Sequence, residues 1–198
     1  VAMKWIGERI SFVEDKNRTT VVIEPMHSGW IRSAMSAWVF MWLTIGISII
    51  INYNSLALDE NQVVFIWVFL AFWGYYAIRV TRSWLWLMWG KELIKIDEVA
   101  LTYKRSIRRY GKATPYLLEN IQKMRVSTPK ENSVQAAWEK SPWIVGGERM
   151  EFDYMGRLVK FGRKLNKKDS ELLFRYLTKR VEQQIRQSRK NQAKAEKV

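Results

Sequence analysis

The sequence predicts an α+β membrane protein: a two-helix transmembrane hairpin and an antiparallel β-domain closed by a C-terminal amphipathic helix. Three observations carry this. Two apolar runs, Ser33 to Ile51 and Val63 to Ile78, are uncharged throughout and are joined by the short acidic stretch Asn52 to Gln62. After Gly90 the apolar residues recur with a period of two, as in half-buried strands. Beyond Asn166 they recur at spacings of three and four, as on one face of a helix.

The first element is an N-terminal β-hairpin within residues 1–29. Arg9 to Val13 and Thr19 to Glu24 are β-prone and flank the polar turn Glu14-Asp15-Lys16-Asn17-Arg18, with Ile10, Phe12, Val21 and Ile23 on one face. An isolated two-stranded hairpin is marginal in water. It is therefore expected to dock on the β-domain that follows the apolar runs. Pro25, His27, Ser28 and Gly29 then break the pattern.

Residues 30–90 form the transmembrane hairpin, with spans at about 31–51 and 63–82. The first apolar run gives about 28 Å of helix at roughly 1.5 Å per residue, close to the hydrocarbon thickness of a bilayer. The second continues past Arg79 and Arg82, whose aliphatic stems let their charged heads reach the interface. Neither run carries the polar stripe that a water-facing side would require. Asp59 and Glu60 lie between the spans with no Lys or Arg, whereas Arg32 precedes them and Arg79, Arg82 and Lys91 follow. Positive residues stay on the cytoplasmic side, so both termini are predicted to be cytoplasmic and the loop outside. Trp84, Trp86 and Trp89 fall at headgroup depth, whereas Trp38, Trp42, Trp67 and Trp73 lie deeper. Deep indole N–H groups need partners, and packing against other membrane helices is one way to supply them. No signal-peptide pattern precedes the first run, so the hairpin is expected to remain in the mature chain.

Residues 91–187 form the β-domain and its helix. Leu93 to Ile96 and Ala100 to Tyr103 flank a turn at Asp97-Glu98; Tyr116 to Leu118 and Ile121 to Val126 follow; Arg149 to Tyr154 and Arg157 to Phe161 flank the tight turn Met155-Gly156. Between Thr128 and Gly147 the alternation is lost, giving a long loop that carries Trp138 and Trp143. Packing of that loop on its own sheet is expected, with a docking role as the alternative. Asn166 or Asp169 caps the last helix, whose apolar face runs from Leu172 to Ile185. Residues 188–198 are predicted to be a basic disordered tail, because nothing there offsets the entropy of ordering by burying apolar surface.

Charge and composition narrow the function. The formal net charge is +14, and nearly all of the excess falls after Arg82, on the part predicted to be cytoplasmic. Such a surface suits anionic lipid headgroups or an acidic partner. Cysteine is absent and His27 is the single histidine, so thiolate and multi-histidine metal sites are excluded and no cofactor is expected. No phosphate-binding, dinucleotide-binding or nucleophile-elbow motif occurs. Glu151 and Asp153, two apart on a predicted strand, read as a solvated face rather than an acid–base pair. Few aromatics are interleaved with the basic residues, chiefly Tyr103 and Tyr110, so nucleic acid is not an expected partner.

Pro115-Tyr116-Leu117-Leu118-Glu119-Asn120-Ile121-Gln122-Lys123-Met124 resembles the strand entered through an I-x-x-V phrase in bacterial membrane-anchored PH-like domain proteins, with Met124 where valine is common. Gly156 to Gly162, leading into the helix, is similar to the same family's closing hairpin. The resemblance covers roughly Gly90 to Gln187. It implies a cytoplasmic PH-like fold, residence in the cell inner membrane, and a scaffolding or assembly role.

Two function classes follow. The first is a non-enzymatic integral membrane scaffold, assembly or accessory subunit of a larger inner-membrane complex, whose partners are other membrane proteins. The second is a membrane-anchored module for anionic lipid headgroups. The residues expected to contact lipid or partner are Arg79, Arg82, Trp84, Trp86 and Trp89 at the end of the second span; Lys104, Arg105, Arg108 and Arg109 in the first basic run; Trp138 and Trp143 in the long loop; and Arg163, Lys164, Lys167 and Lys168 before the last helix.

Overall fold

The computed structural model describes residues 2–15, 17–25, 28–127, 134, 141, 143 and 146–195, the last five of these by backbone alone. Strands β1 (Met3–Ile6), β2 (Ile10–Glu14) and β3 (Thr19–Ile23) precede helix α1 (Gly29–Asn52). A 3-10 turn, Tyr53–Ser55, leads towards helix α2 (Glu60–Trp89). Strands β4 (Gly90–Ile96), β5 (Ala100–Ile107) and β6 (Ala113–Leu117) follow, then the 3-10 turn Leu118–Asn120. Strands β7 (Ile121–Val126), β8 (Glu148–Tyr154) and β9 (Arg157–Arg163) and helix α3 (Lys167–Ala195) complete the chain. It divides into a β-rich unit with α3 and a second unit that holds α1, α2 as far as Met88, and Ser141 and Trp143.

The β-rich unit holds two antiparallel sheets, one in the order β1-β2-β3-β4-β5-β6 and one in the order β7-β8-β9. Strand β3 pairs directly with β4, with Ile23 opposite Glu92, Val21 opposite Ile94 and Thr19 opposite Ile96. The two helices are thus inserted between neighbouring strands of one sheet. Alternation decides which residues enter the core: Ile10, Phe12, Val21, Ile23, Ile94, Ile96, Leu101 and Tyr103 from the larger sheet meet Met150, Phe152 and Phe161 from the smaller one. Leu173, Leu177 and Val181 of α3 close the same cluster. Each such side chain contributes about 1.5–3 kcal/mol by leaving water.

The start of α3 is fixed by Asn166. Its Oδ1 accepts from the Asp169 N–H at 2.6 Å while its Nδ2 donates to Asp169 Oδ2 at 2.9 Å. The β1–β2 turn approaches this cap so closely that a Cβ on Gly7 would lie 2.5 Å from Asp169 Oδ1, and Gly7 has φ +60°, so glycine is required there on both counts. Further along, Tyr176 donates to Glu14 at 2.8 Å and Arg180 to Thr19 at 2.9 Å, tying α3 to β2 and β3.

Three differences from the sequence reading have physical causes. The N-terminal part contributes three strands, because Met3–Ile6 completes an edge by pairing with β2 although most of its side chains stay exposed. Helix α3 runs on to Ala195, past residue 188 where a disordered tail is expected; the run of Gln, Arg, Lys and Ala continues a helix already nucleated by packing. Glu151 is buried rather than solvated and pairs with Arg125 and Lys160.

In the helical unit, α1 and α2 are both long and apolar enough to cross a membrane. Trp42 Nε1 donates to the Trp73 carbonyl at 3.3 Å and Trp73 Nε1 donates to the Trp42 carbonyl at 2.8 Å, a reciprocal exchange across the two helices. Gly46 makes room for it, since a Cβ there would fall 1.9 Å from the Trp73 ring. Trp84 Nε1 adds a third cross-helix bond, to Ser36 Oγ at 2.8 Å. The indole N–H groups of Trp42 and Trp73 are therefore satisfied between α1 and α2, and they do not call for a further helix.

Candidate functional site

Strand register gathers several of the chain's basic groups at one end of the six-stranded sheet. Ile23 lies opposite Glu92, and Gly90 opposite Ile107, so the chain leaves for α1 and returns from α2 at the same sheet end as the β5–β6 turn. The β9–α3 connection is held to this end by two groups, half-buried Arg9 and buried Glu92. Arg9 donates to the carbonyls of Glu24, Arg163 and Lys164, the last at 2.6 Å. Glu92, 1% exposed, accepts from the backbone N–H of Gly162 at 2.7 Å and of Arg163 at 3.2 Å.

Glu92 anchors a wider polar network. The Tyr103 hydroxyl meets Glu92 and also accepts from Arg105 Nε at 2.6 Å. Burial, reinforced by the Glu92 charge, pushes the Tyr103 hydroxyl well above the ordinary tyrosine range. Arg105 and Arg163 both reach Glu148, at 3.0 and 3.2 Å. Burial works against the Glu148 carboxylate, but its backbone hydrogen bond and these two guanidinium groups hold its pKa below the usual range. Burial lowers the Lys164 ammonium to about 8, helped by Arg163 and Arg9.

This sorts the basic residues predicted to meet lipid or partner. Arg105 and Arg163 belong to the internal network, with Arg163 only 12% exposed, and Lys164 is half-buried in a left-handed conformation at φ +50°. Lys104 donates to the Arg109 carbonyl at 3.3 Å and braces the β5–β6 turn. Arg108 and Arg109 on the β5–β6 turn, and Lys167 and Lys168 in the first turn of α3, present exposed side chains near the sheet end just described. Arg108 lies over the Trp89 ring, 5.0 Å from its centroid, and its N–H donates to the Trp89 carbonyl at 3.0 Å. Tyr110, 84% exposed, projects from the same turn.

In the helical unit, Arg79 donates to the Tyr75 hydroxyl one turn away at 2.6 Å, Arg82 is exposed, and Trp84 and Trp86 are half-buried. Trp143 packs edge-on against Trp38 with centroids 4.7 Å apart, and Trp38 stacks on Trp42. The long loop was expected on its own sheet; Trp143 instead joins the aromatic stack of α1. Trp138 and His27 lie outside the described residues.

Sequence reasoning passed over Glu92 and Arg9. The signal for Glu92 was present: Gly90, Glu92, Ile94 and Ile96 share a strand face, and a carboxylate on an apolar face calls for buried donors. Arg9 gave no such signal, since its acceptors come from residues far apart in sequence. Compared with protein-family models, with curated proteins and with solved structures, the chain matches none.

Proposed function

We propose that this chain is a non-enzymatic integral membrane scaffold or accessory subunit, with a membrane hairpin and a PH-like interaction domain on the cytoplasmic side of the inner membrane. The observation that carries the reading is the outward face of α1 and α2. Phe40, Ile51 and Phe65 are 75, 74 and 76% exposed, while the indole N–H groups of Trp42, Trp73 and Trp84 and the Ser36 hydroxyl are turned inward onto the partner helix. In water that distribution is unfavourable; in hydrocarbon it is the stable one, because polar groups must be satisfied internally. The sheet order supports the PH-like reading: β3 to β6 and β7 to β9 give four strands and three, closed by α3, with β1 and β2 as an N-terminal addition.

The lipid-binding alternative draws on Arg108, Arg109, Lys167 and Lys168, exposed at the sheet end where the chain joins the helices. Near an anionic surface each contributes on the order of 1 kcal/mol and is screened by salt, which orients a domain without selecting a partner. A packed aromatic anchor contributes about 2 kcal/mol or more and is not screened in this way. The test is purification of the tagged full chain in a gentle non-ionic detergent at rising salt, with and without replacement of these four cations by Gln. The scaffold reading expects a membrane protein to co-purify stoichiometrically and to survive both treatments. Purification with anionic lipid alone, lost in the quadruple variant, would favour the lipid module instead.

A further inference from the structure

Strand β6 ends the six-stranded sheet and β9 ends the three-stranded one, and a groove of about 770 Å³ lies between these two edges. Its lining carries four cations, Arg105, Lys112, Arg157 and Lys160, and no carboxylate. Arg105 is paired with Glu148, and Lys160 reaches Glu151. Lys112 and Arg157 are exposed, and among the described residues neither side chain has an ion-pair or hydrogen-bond partner.

Among the described residues no strand pairs with the groove side of β9. Met155 and Gly156, with φ +48° and +77°, form a two-residue hairpin turn, which makes Tyr154 and Arg157 the first hydrogen-bonded pair. The ladder then alternates, so the polar backbone groups of Leu158, Lys160 and Gly162 point away from β8. Two of them are engaged from that side: the Lys160 carbonyl accepts from Arg105 at 2.9 Å and the Gly162 N–H donates to Glu92. The N–H and C=O of Leu158 and the N–H of Lys160 remain to face the groove. Opposite them, Pro115 of β6 has no N–H to offer a ladder, so β9 is the edge that can accept a strand.

Register sets the spacing of the two unpaired charges. Ala113 lies opposite Lys104, and Gly162 meets Glu92, which lies opposite Arg105, so Lys112 stands near the level of Gly162. Arg157 is five residues along β9 from there, roughly 16 to 17 Å at about 3.3 Å per residue. A compact anion does not reach both; an extended chain with acidic side chains does.

We propose that the groove takes an extended acidic segment of a partner protein, added to β9 as a further strand with carboxylates on Lys112 and Arg157. This deepens the scaffold reading by giving it a docking site and a partner chemistry, but it does not rest on the membrane assignment. Main-chain bonds at Leu158 supply attachment, and the two cations supply charge selectivity.

The test uses the full chain in non-ionic detergent and a fluorescein-labelled peptide, acetyl-Glu-Val-Glu-Val-Glu-Val-Glu-amide, followed by fluorescence anisotropy. Saturable binding is expected, at least tenfold weaker in the double variant Lys112→Gln/Arg157→Gln and also in Leu158→Pro. The proline removes an outward N–H together with the leucine side chain but takes no bond from the β8–β9 ladder, which unchanged far-UV circular dichroism checks. Alternate N-methylation of the peptide should weaken it by a similar factor, and replacement of Arg108, Arg109, Lys167 and Lys168 by Gln should leave binding within about twofold, those cations being outside the groove. No binding, equal binding of the N-methylated peptide, or loss only in the quadruple variant would overturn the proposal. Displacement by inorganic tripolyphosphate with no effect of Leu158→Pro would overturn it in favour of a small-anion site. A chain that binds the peptide through Leu158 but purifies without any protein partner would contradict the scaffold reading and leave the groove standing.

Discussion

Two ionisable groups drawn into the fold, buried Glu92 and half-buried Lys164, carry opposite lessons. Glu92 is fully committed, accepting two backbone N–H groups beside Arg9 and Tyr103. Glu92→Ala removes the acceptor and leaves buried donors and a guanidinium without their counter-charge, so a loss of about 3–5 kcal/mol is expected. Urea unfolding of the detergent-solubilised chain, followed by near-UV circular dichroism, measures it; a loss under 1 kcal/mol would remove Glu92 from the centre of the network. Lys164 is the reverse case, a cation held in a place that disfavours its charge. Its folded pKa is about 8, below the ordinary 10.5, so between these values the unfolded chain binds more protons and stability rises with pH. Lys164→Met should stabilise the chain at pH 7 and flatten the rise between pH 8 and 10.5, which midpoints across that range will show. Neither environment follows from a single sequence, because donors and charges meet there from strands separated by more than sixty residues.

The elements themselves were more legible than the contacts between them. The apolar runs, the period-two stretches after Gly90 and the three-and-four spacing after Asn166 gave α1, α2, most strands and α3, since each is a local pattern of burial. The β1 edge was missed because Met3–Ile6 is mostly exposed and leaves no alternating signal. The pairing of β3 with β4 was legible only indirectly, as apolar residues in need of a core. Deleting residues 1–24 strips β1 to β3 from β4 and uncovers Ile94 and Ile96. The loss is expected to reach several kcal/mol, at about 1.5–3 kcal/mol per buried side chain. Denaturation with α3 fluorescence or circular dichroism as reporter checks it, and an unchanged midpoint would show that the N-terminal strands are dispensable. In the helical unit, Gly46→Leu would drive a side chain into the Trp73 ring and break the Trp42–Trp73 exchange. A red shift in tryptophan emission and a lower unfolding temperature are expected, whereas Gly74→Ala, which meets nothing within 4 Å, should do neither.

For the whole molecule, the site was partly visible in the sequence. Charge counting found both basic runs, but it could not separate Arg105 and Arg163, consumed by Glu148, from Arg108, Arg109, Lys167 and Lys168, which stay exposed. The groove between β6 and β9 was invisible because its walls come from two sheets. The proposed function turns on one claim, that α1 and α2 cross a membrane and leave the β-domain and both termini on the cytoplasmic side. The chain has no cysteine, so single cysteines are clean reporters. Asn54→Cys, exposed between the helices, and Arg189→Cys, exposed on α3, should be challenged with a membrane-impermeant maleimide in intact cells and again after permeabilisation. Labelling of Asn54→Cys in intact cells, with Arg189→Cys reacting only after permeabilisation, is the predicted result; labelling of Arg189→Cys in intact cells while Asn54→Cys stays protected would contradict it.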